Sequence, residues 1–219
     1  SWLESAGGNV QQEGKRSADY WSRLAERLAS CLRRGCVLIN EPMRQHTSFR
    51  IGGPADIFVE PYDMNELGTV LRICSETRNK PTVVGNGTNL LVSDLGIRGV
   101  VIHVSDNLSR IQVDGEEITA EAGISLAKLA SEALAHSLTG LEFASGIPGS
   151  LGGAVAMNAG AYGGEMKDVV TEARCFSQDG ELIHLVGEQL EFGYRTSSIQ
   201  THGYIVAEAV MRLQYGDRD

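Results

Sequence analysis

Apolar residues change their period several times along this chain, and each change predicts an element. Trp21, Leu24, Leu28 and Leu32 recur at steps of three and four between Asp19 and Arg34, which predicts an amphipathic helix with one buried face. Arg23, Arg27, Arg33 and Arg34 lie mostly off that stripe, as a solvated charged face requires; a basic partner-binding helix is the weaker reading. Short apolar runs at Cys36–Ile39 and Asp56–Glu60 read as strands, the second stopped by Pro61. Asp63 with Glu66 three residues later has the spacing of a capping box, and Leu67, Val70, Leu71 and Cys74 form the stripe of the helix that follows. The runs Pro81–Val84 and Gly99–Val104 close a small β-α-β-β lobe near Ser105.

Beyond Ser105 the period is mainly two. Leu108–Val113 and Glu117–Ala122 flank Asp114-Gly115, and Val169–Ser177 and Glu181–Val186 flank Asp179-Gly180; both predict hairpins. Ser125 is a candidate cap for a helix carrying Leu126, Leu129, Ala130, Ala133 and Leu134 on one face. Residues 145–164 are dense in glycine and predict turns around a short helix, and Tyr204–Leu213 reads as a final strand. The expected class is α+β in two lobes, 41–105 and 106–217, preceded by a tail and helix over 1–40.

Composition narrows the possible partners. A net charge of -9 excludes a sequence-independent nucleic-acid binder, which needs a basic face. It leaves room for a phosphorylated ligand, because backbone N–H groups bind phosphate without Lys or Arg. No apolar run reaches the ~20 residues of a membrane span, and the expected location is the cytoplasm. Cys31, Cys36, Cys74 and Cys175 form no C-x-x-C pair and read as reduced, mostly buried thiols. The histidines at 46, 103, 136, 184 and 202 lack metal spacing and read as packing or surface residues, so no metal site is expected.

Three stretches carry candidate chemistry. Val84 leads straight from a strand into Gly85-Asn86-Gly87-Thr88-Asn89-Leu90, whose glycines let consecutive N–H groups close on an anion. Leu90 stands where a Rossmann fingerprint needs glycine, and no Lys follows as in a Walker loop. The second stretch runs Gly146-Ile147-Pro148-Gly149-Ser150-Leu151-Gly152-Gly153-Ala154, then Asn158-Ala159-Gly160-Ala161-Tyr162-Gly163-Gly164. Side chains this small fill a core poorly and let an extended ligand lie against backbone. In the third, Tyr194-Arg195-Thr196-Ser197, a guanidinium between an aromatic ring and hydroxyls suits a carboxylate.

These blocks, together with Thr47-Ser48-Phe49-Arg50-Ile51-Gly52-Gly53-Pro54-Ala55 and in this order, make the stretch from Asn40 to Asp217 similar to the UDP-N-acetylenolpyruvoylglucosamine reductase (UDP-N-acetylmuramate dehydrogenase) family. The resemblance implies a two-lobed FAD-binding domain of the p-cresol methylhydroxylase and vanillyl-alcohol oxidase type. It implies FAD held by Val84–Leu90 at its pyrophosphate. Gly146, Ile147, Pro148, Ser150, Gly153, Ala154, Asn158, Ala159, Gly160 and Ala161 would line the flavin, with Gly123 and Val206 touching it from neighbouring strands. It further implies NADPH as hydride donor and UDP-N-acetylglucosamine enolpyruvate as substrate, with Arg195 catalytic and Tyr194 beside it at the substrate. The family continues into a third domain that supplies a proton-donating Ser and an assisting Glu. This chain is therefore expected to be an FAD-binding portion with little turnover of its own. An oxidase of the same fold and a non-catalytic flavin or UDP-sugar module are the alternatives.

Overall fold

The computed structural model describes residues 15–47, 49–85 and 92–216. Helix α1 (Ala18–Cys31) starts at Ser17, whose hydroxyl accepts the Tyr20 N–H, and buries Leu24, Ala25 and Leu28. Its outer face is solvated and ion-paired, Arg23 to Asp19 and Arg27 to Glu76, as the sequence pattern requires. Strand β1 (Cys36–Pro42) then pairs antiparallel with β2 (Pro54–Glu60). Helix α2 (Met64–Glu76) crosses to β3 (Thr82–Val84), and β4 (Ile97–His103) inserts between β2 and β3, parallel to both. The resulting sheet order is β1-β2-β4-β3. The position 40/41 at which a boundary is expected lies within β1.

Ala55–Val59 are buried without alternation, the pattern of a strand covered on both faces. Ile57, Val59, Val100 and Ile102 pack with α1 and α2 in the main core, while Phe58, Val101 and Val84 join Met43 on the other face.

The second sheet is antiparallel throughout. Strands β5 (Ile111–Asp114) and β6 (Glu117–Glu121) form the first predicted hairpin, with Gly115 at φ +60 in its turn. Helix α3 (Leu126–Ala135), capped by Ser125, buries Leu126, Leu129 and Ala133. Leu134 departs from the expected stripe and is 76% exposed. A short strand β7 (Leu138–Thr139), helix α4 (Leu151–Met157) and a tight hairpin of β8 (Gly160–Ala161) and β9 (Gly164–Glu165) follow. Strands β10 (Val170–Phe176) and β11 (Leu182–Val186) make the second predicted hairpin. After helix α5 (Ser198–His202), strand β12 (Ile205–Arg212) fills the centre of the order β11-β10-β12-β6-β5, and β13 (Gln214–Tyr215) pairs with β7.

One hydrophobic core runs through both sheets, from Leu28 and Leu71 to Ile118 and Met211. Helix α2 is the shared element. A Cβ added to Gly68 would lie 3.0 Å from the Phe176 ring of β10, and Ser75 donates to Asp179 in the β10–β11 turn at 2.8 Å. The capping box expected at α2 is only half made: Asp63 accepts the Glu66 N–H at 2.8 Å. The Glu66 carboxylate instead accepts the N–H groups of Arg33, Arg34, Gly35 and Tyr62. Four backbone donors compensate its burial.

Candidate functional site: a small-residue cleft between the sheets

Strands β3 and β4 run parallel and end side by side, Val104 donating to the Val84 carbonyl at 2.9 Å. Beside them the backbone leaving β6 is tied to the start of α4: Leu151 N–H donates to Ile124 and Gly152 N–H to Ala122, each at 2.9 Å. The space between is a cleft of about 210 Å³ lined by Val83, Val84, Gly85, Val104, Ala122, Ser150, Gly152, Gly153, Ala156, Tyr204, Ile205 and Val206. Five residues expected at a cofactor, Val84 and Gly85 at the end of β3, Ser150 and Gly153 at the start of α4, and Val206 in β12, thus meet from three separate elements. The carboxyl ends of parallel strands are where α/β sheets bind ligands.

The polar groups here are arranged for a ligand. Ser150 stands at the N-cap of α4 yet makes no capping hydrogen bond. A Cβ on Gly85 would lie 2.7 Å from its Oγ, so the hydroxyl points at the mouth of the first glycine loop. Among the described residues the Gly153 N–H takes no backbone acceptor. A Cβ on Gly146 or Gly153 would meet nothing within 4 Å, and neither residue has a positive φ. Internal packing gives no reason for glycine at these two positions. Close approach of an external flat or extended molecule does.

The second half of the glycine-rich stretch obeys different rules. Tyr162 and Gly163 both have positive φ, 52 and 79, at the turn of the β8–β9 hairpin, as a type I′ turn requires. A Cβ on Gly160 would come within 2.8 Å of the Gly164 carbonyl oxygen. Asn158, expected at the flavin, is buried with its amide fully engaged. Its Nδ2 donates to Glu165 and to the Gly193 carbonyl at 2.9 Å each, and its Oδ1 accepts the Lys167 N–H at 2.8 Å. Gly123, also expected to touch cofactor, packs where a Cβ would overlap the Ser105 carbonyl oxygen. Its neighbour Ala122 lines the cleft instead. Asn86, Gly87, Thr88, Asn89 and Leu90 lie outside the described residues.

Arg195 sits at the corner of a turn closed by Gly193 and Thr196, which exchange N–H···O bonds of 3.0 and 3.4 Å. Its φ of 52 is the left-handed conformation, costing about 1–2 kcal/mol for a residue with a Cβ. Strain of this kind is retained where surrounding bonds impose it. Those bonds come from α4 and its C-terminal cap: Asn158 to Gly193, and Ser197 Oγ to the Ala156 carbonyl at 2.6 Å. Ala156 also lines the cleft, so one short helix carries cleft wall at one end and the Arg195 turn at the other. Arg195 and Tyr194 are exposed, the guanidinium 5.4 Å from the Tyr194 ring centroid. No carboxylate among the described residues pairs with Arg195.

A larger cavity, about 640 Å³, lies at the opposite end of the first sheet, lined by Lys15, Arg16, Arg78, Lys80 and Arg98 among others. It contains none of the residues that sequence chemistry singles out. Two thiols differ from expectation: Cys31 and Cys36 are exposed, whereas Cys74 and Cys175 are buried, and burial pushes both of the latter to about 12.

A fold with an antiparallel sheet set against a smaller mixed one, and a ligand cleft walled by backbone at their junction, defines a class of cofactor-holding domain. Residues 55–186 match the FAD binding domain family, and the chain belongs to it. It is 50% identical over 181 residues to the UDP-N-acetylenolpyruvoylglucosamine reductase of Alkaliphilus oremlandii (strain OhILAs), covering 83% of this chain and 60% of that protein. It is 46% identical over 192 residues to the reductase of the same name from Clostridioides difficile (strain 630), covering 88% and 63%. The chain therefore spans about three-fifths of the length of these relatives. The crystal structure of the Thermus caldophilus UDP-N-acetylenolpyruvylglucosamine reductase superposes with a TM-score of 0.68 at 33% identity, over 84% of this chain and 64% of that one. A Brevibacterium sterolicum cholesterol oxidase shares the fold, with a TM-score of 0.62 at 16% identity, over 83% and 38%.

Proposed function

We propose that this chain is the FAD-holding portion of a cytoplasmic UDP-N-acetylenolpyruvoylglucosamine reductase. Such an enzyme uses NADPH to reduce UDP-N-acetylglucosamine enolpyruvate to UDP-N-acetylmuramate for peptidoglycan synthesis. The observation that carries this reading is the convergence of Val84, Gly85, Ser150, Gly153 and Val206 on one backbone-walled cleft, with the Arg195 turn bonded to the same helix. In this reading the residues 84–90 hold the pyrophosphate. Gly146, Ile147, Pro148, Gly153 and Ala154 give the flavin a surface without side-chain obstruction, and Ala159–Ala161 continue it. Ser150 Oγ donates to a phosphate or ribityl oxygen.

When bound, FAD accepts a hydride from NADPH and delivers one to the enolpyruvyl carbon. The protein's part is placement and charge. Arg195 holds the substrate carboxylate through its planar fork, and its fixed positive charge stabilises the enolate character that develops beside it. Tyr194 packs along the guanidinium and fixes its approach. Proton delivery to the adjacent carbon is assigned to no residue of this chain.

The test has two arms. Titration of the purified chain with FAD is expected to give stoichiometric uptake, read as quenched flavin fluorescence and a perturbed flavin spectrum. A folded chain that takes up no FAD overturns the reading. In a protein that carries this chain together with the remainder of the reductase, Arg195→Ala is expected to slow reoxidation of reduced flavin by substrate and to spare its reduction by NADPH. Equal losses in both half-reactions would make Arg195 a structural residue.

A further inference from the structure

The histidines look scattered in the sequence, but the fold brings two of them together. His46 follows the turn that caps the outer face of the first sheet, and His103 ends β4, where it pairs with Val84 of β3. Glu60 ends the adjacent strand β2. One side-chain donor atom from each of His46, Glu60 and His103 lies within 4.8 Å of the other two, and among the described residues no other group of His, Cys, Asp or Glu does this.

The surroundings are those of a metal-ligand set. The ring of His46 is stacked on Phe58, centroids 4.1 Å apart and planes 23° apart, and His103 packs against the same Phe58 at 5.6 Å. Each ring is also held by a carboxylate, His46 Nε2 by Glu41 at 2.9 Å and His103 Nδ1 by Glu60 at 2.6 Å. Glu41, outside the cluster, supports His46 as a carboxylate on the distal nitrogen of a ligating histidine does, whereas Glu60 would give up its bond to His103 to join the ligand set. The side chains are 16–27% exposed, so an ion can enter while most of the site is shielded. Two carboxylates, Glu41 and Glu60, thus face the two imidazoles. Cys36, the strand partner of Glu60, is not a member of the cluster.

We propose that His46, Glu60 and His103 form a binding site for a divalent transition-metal ion, zinc being the best match, with Glu41 positioning His46. Two imidazoles and one carboxylate form a three-ligand set that leaves a fourth position open. Zinc bonds of about 2.0–2.1 Å place tetrahedral donors about 3.3 Å apart, so closure requires side-chain shifts of roughly an ångström and no movement of the strands. None of the three residues lines the flavin cleft, although His103 pairs with Val84 of its wall.

The experiment uses the full 219-residue chain, freed of metal with EDTA. It is titrated with Zn²⁺ by calorimetry and with Co²⁺ by visible absorption. We expect one ion per chain and a raised Tm on binding. Glu41→Gln is expected to weaken affinity about tenfold, and His46→Gln and His103→Gln to weaken it further. His184→Gln, which removes the exposed pair with Glu172, leaves it unchanged. X-ray absorption of the zinc-loaded wild-type chain needs no variant to fold and should show nitrogen and oxygen ligands only. A sulfur shell would move the site to a cysteine and overturn the proposal. Absence of stoichiometric binding, or equal affinity in His46→Gln, His103→Gln and wild type, would reduce the cluster to two His–Glu ion pairs.

Discussion

Residues 146–153 and 158–164 are both dense in glycine, four of eight and three of seven, yet a pair of glycines in each is there for opposite reasons. In the first stretch a methyl group at Gly146 or Gly153 would project into open space. In the second, one at Gly160 would strike a carbonyl oxygen, and one at Gly164 would lie 2.9 Å from the Phe143 ring. Glycine is therefore spare at the first two positions as far as the protein's own packing goes, and obligatory at the second two. Composition signals that backbone is exposed or crowded. Only the surroundings say which, and only the exposed case concerns a ligand.

The contrast can be broken most sharply at its crowded end. Gly160→Ala forces a backbone clash within the β8–β9 hairpin and is expected to cost about 1–3 kcal/mol, measured by urea denaturation of the FAD-free chain. A wild-type midpoint would show that the hairpin yields freely. Asn158→Ala should cost a similar ~1–3 kcal/mol, because it leaves the Lys167 N–H without its acceptor and the Gly193 carbonyl with only the long Thr196 bond. It should also speed amide exchange at Thr196; unchanged exchange there would remove Asn158 as the anchor of the Arg195 turn. At the exposed end the two readouts should separate. Gly153→Val should weaken FAD binding about tenfold or more, equal to some 1.4 kcal/mol, while the FAD-free Tm stays within a few degrees. Equal loss of stability and affinity would place Gly153 with the crowded glycines.

Smaller effects sharpen the electrostatic picture. Burial raises the pKa of Glu121 despite its hydrogen bond from the Arg110 N–H. The folded state thus holds this proton to higher pH than the unfolded state does. Its contribution to stability is most favourable below the ordinary carboxylate range and is lost as pH rises through the raised value. Glu121→Gln should accordingly give a small stabilisation at pH 7 that fades on acidification, read as Tm against pH. A constant difference at all pH values would assign the effect to packing. Native-state alkylation should modify Cys31 and Cys36 and leave Cys74 and Cys175 intact until denaturant is added; early loss of either buried thiol would show local opening around α2 or β10.

Much of this architecture was legible because the relevant signals are local. The stripe Leu24–Leu28, the cap at Asp63 and the Asp-Gly pairs at 114–115 and 179–180 each act within a few residues, and the elements formed where those signals lie. Val84, Gly85, Ser150 and Gly153 stand out in the sequence by the small-residue stretches they belong to, and Val206 only through the family resemblance; the fold brings all five to one cleft. What failed depended on distant partners. Leu134 continues an apolar stripe, but the neighbouring surface ends before it, and Glu66 is claimed by the backbone of residues 33–35 rather than by its own helix. Asn158 reads as a ligand group until Gly193 is seen to take its amide. Val104, Ala122 and Tyr204 carry no chemical mark at all and line the cleft through topology alone. The convergence of His46 and His103 is likewise a consequence of strand order, which spacing along the chain does not encode.

The seating of Gly68 against Phe176 has a mechanical consequence. Helix α2 is wedged between the two sheets by an aromatic ring that fits only because residue 68 lacks a side chain, and the core continues through it without a break. Hinged jaws need a seam of loose contacts to swing about, and close-packed interiors resist such deformation. The junction here acts as a fixed vice, so ligand exchange must proceed by the movement of edge loops with the sheets held still. With that wedge in place the two sheets are expected to melt as one cooperative unit. Gly68→Leu, by prising them apart, should convert a single unfolding transition into two.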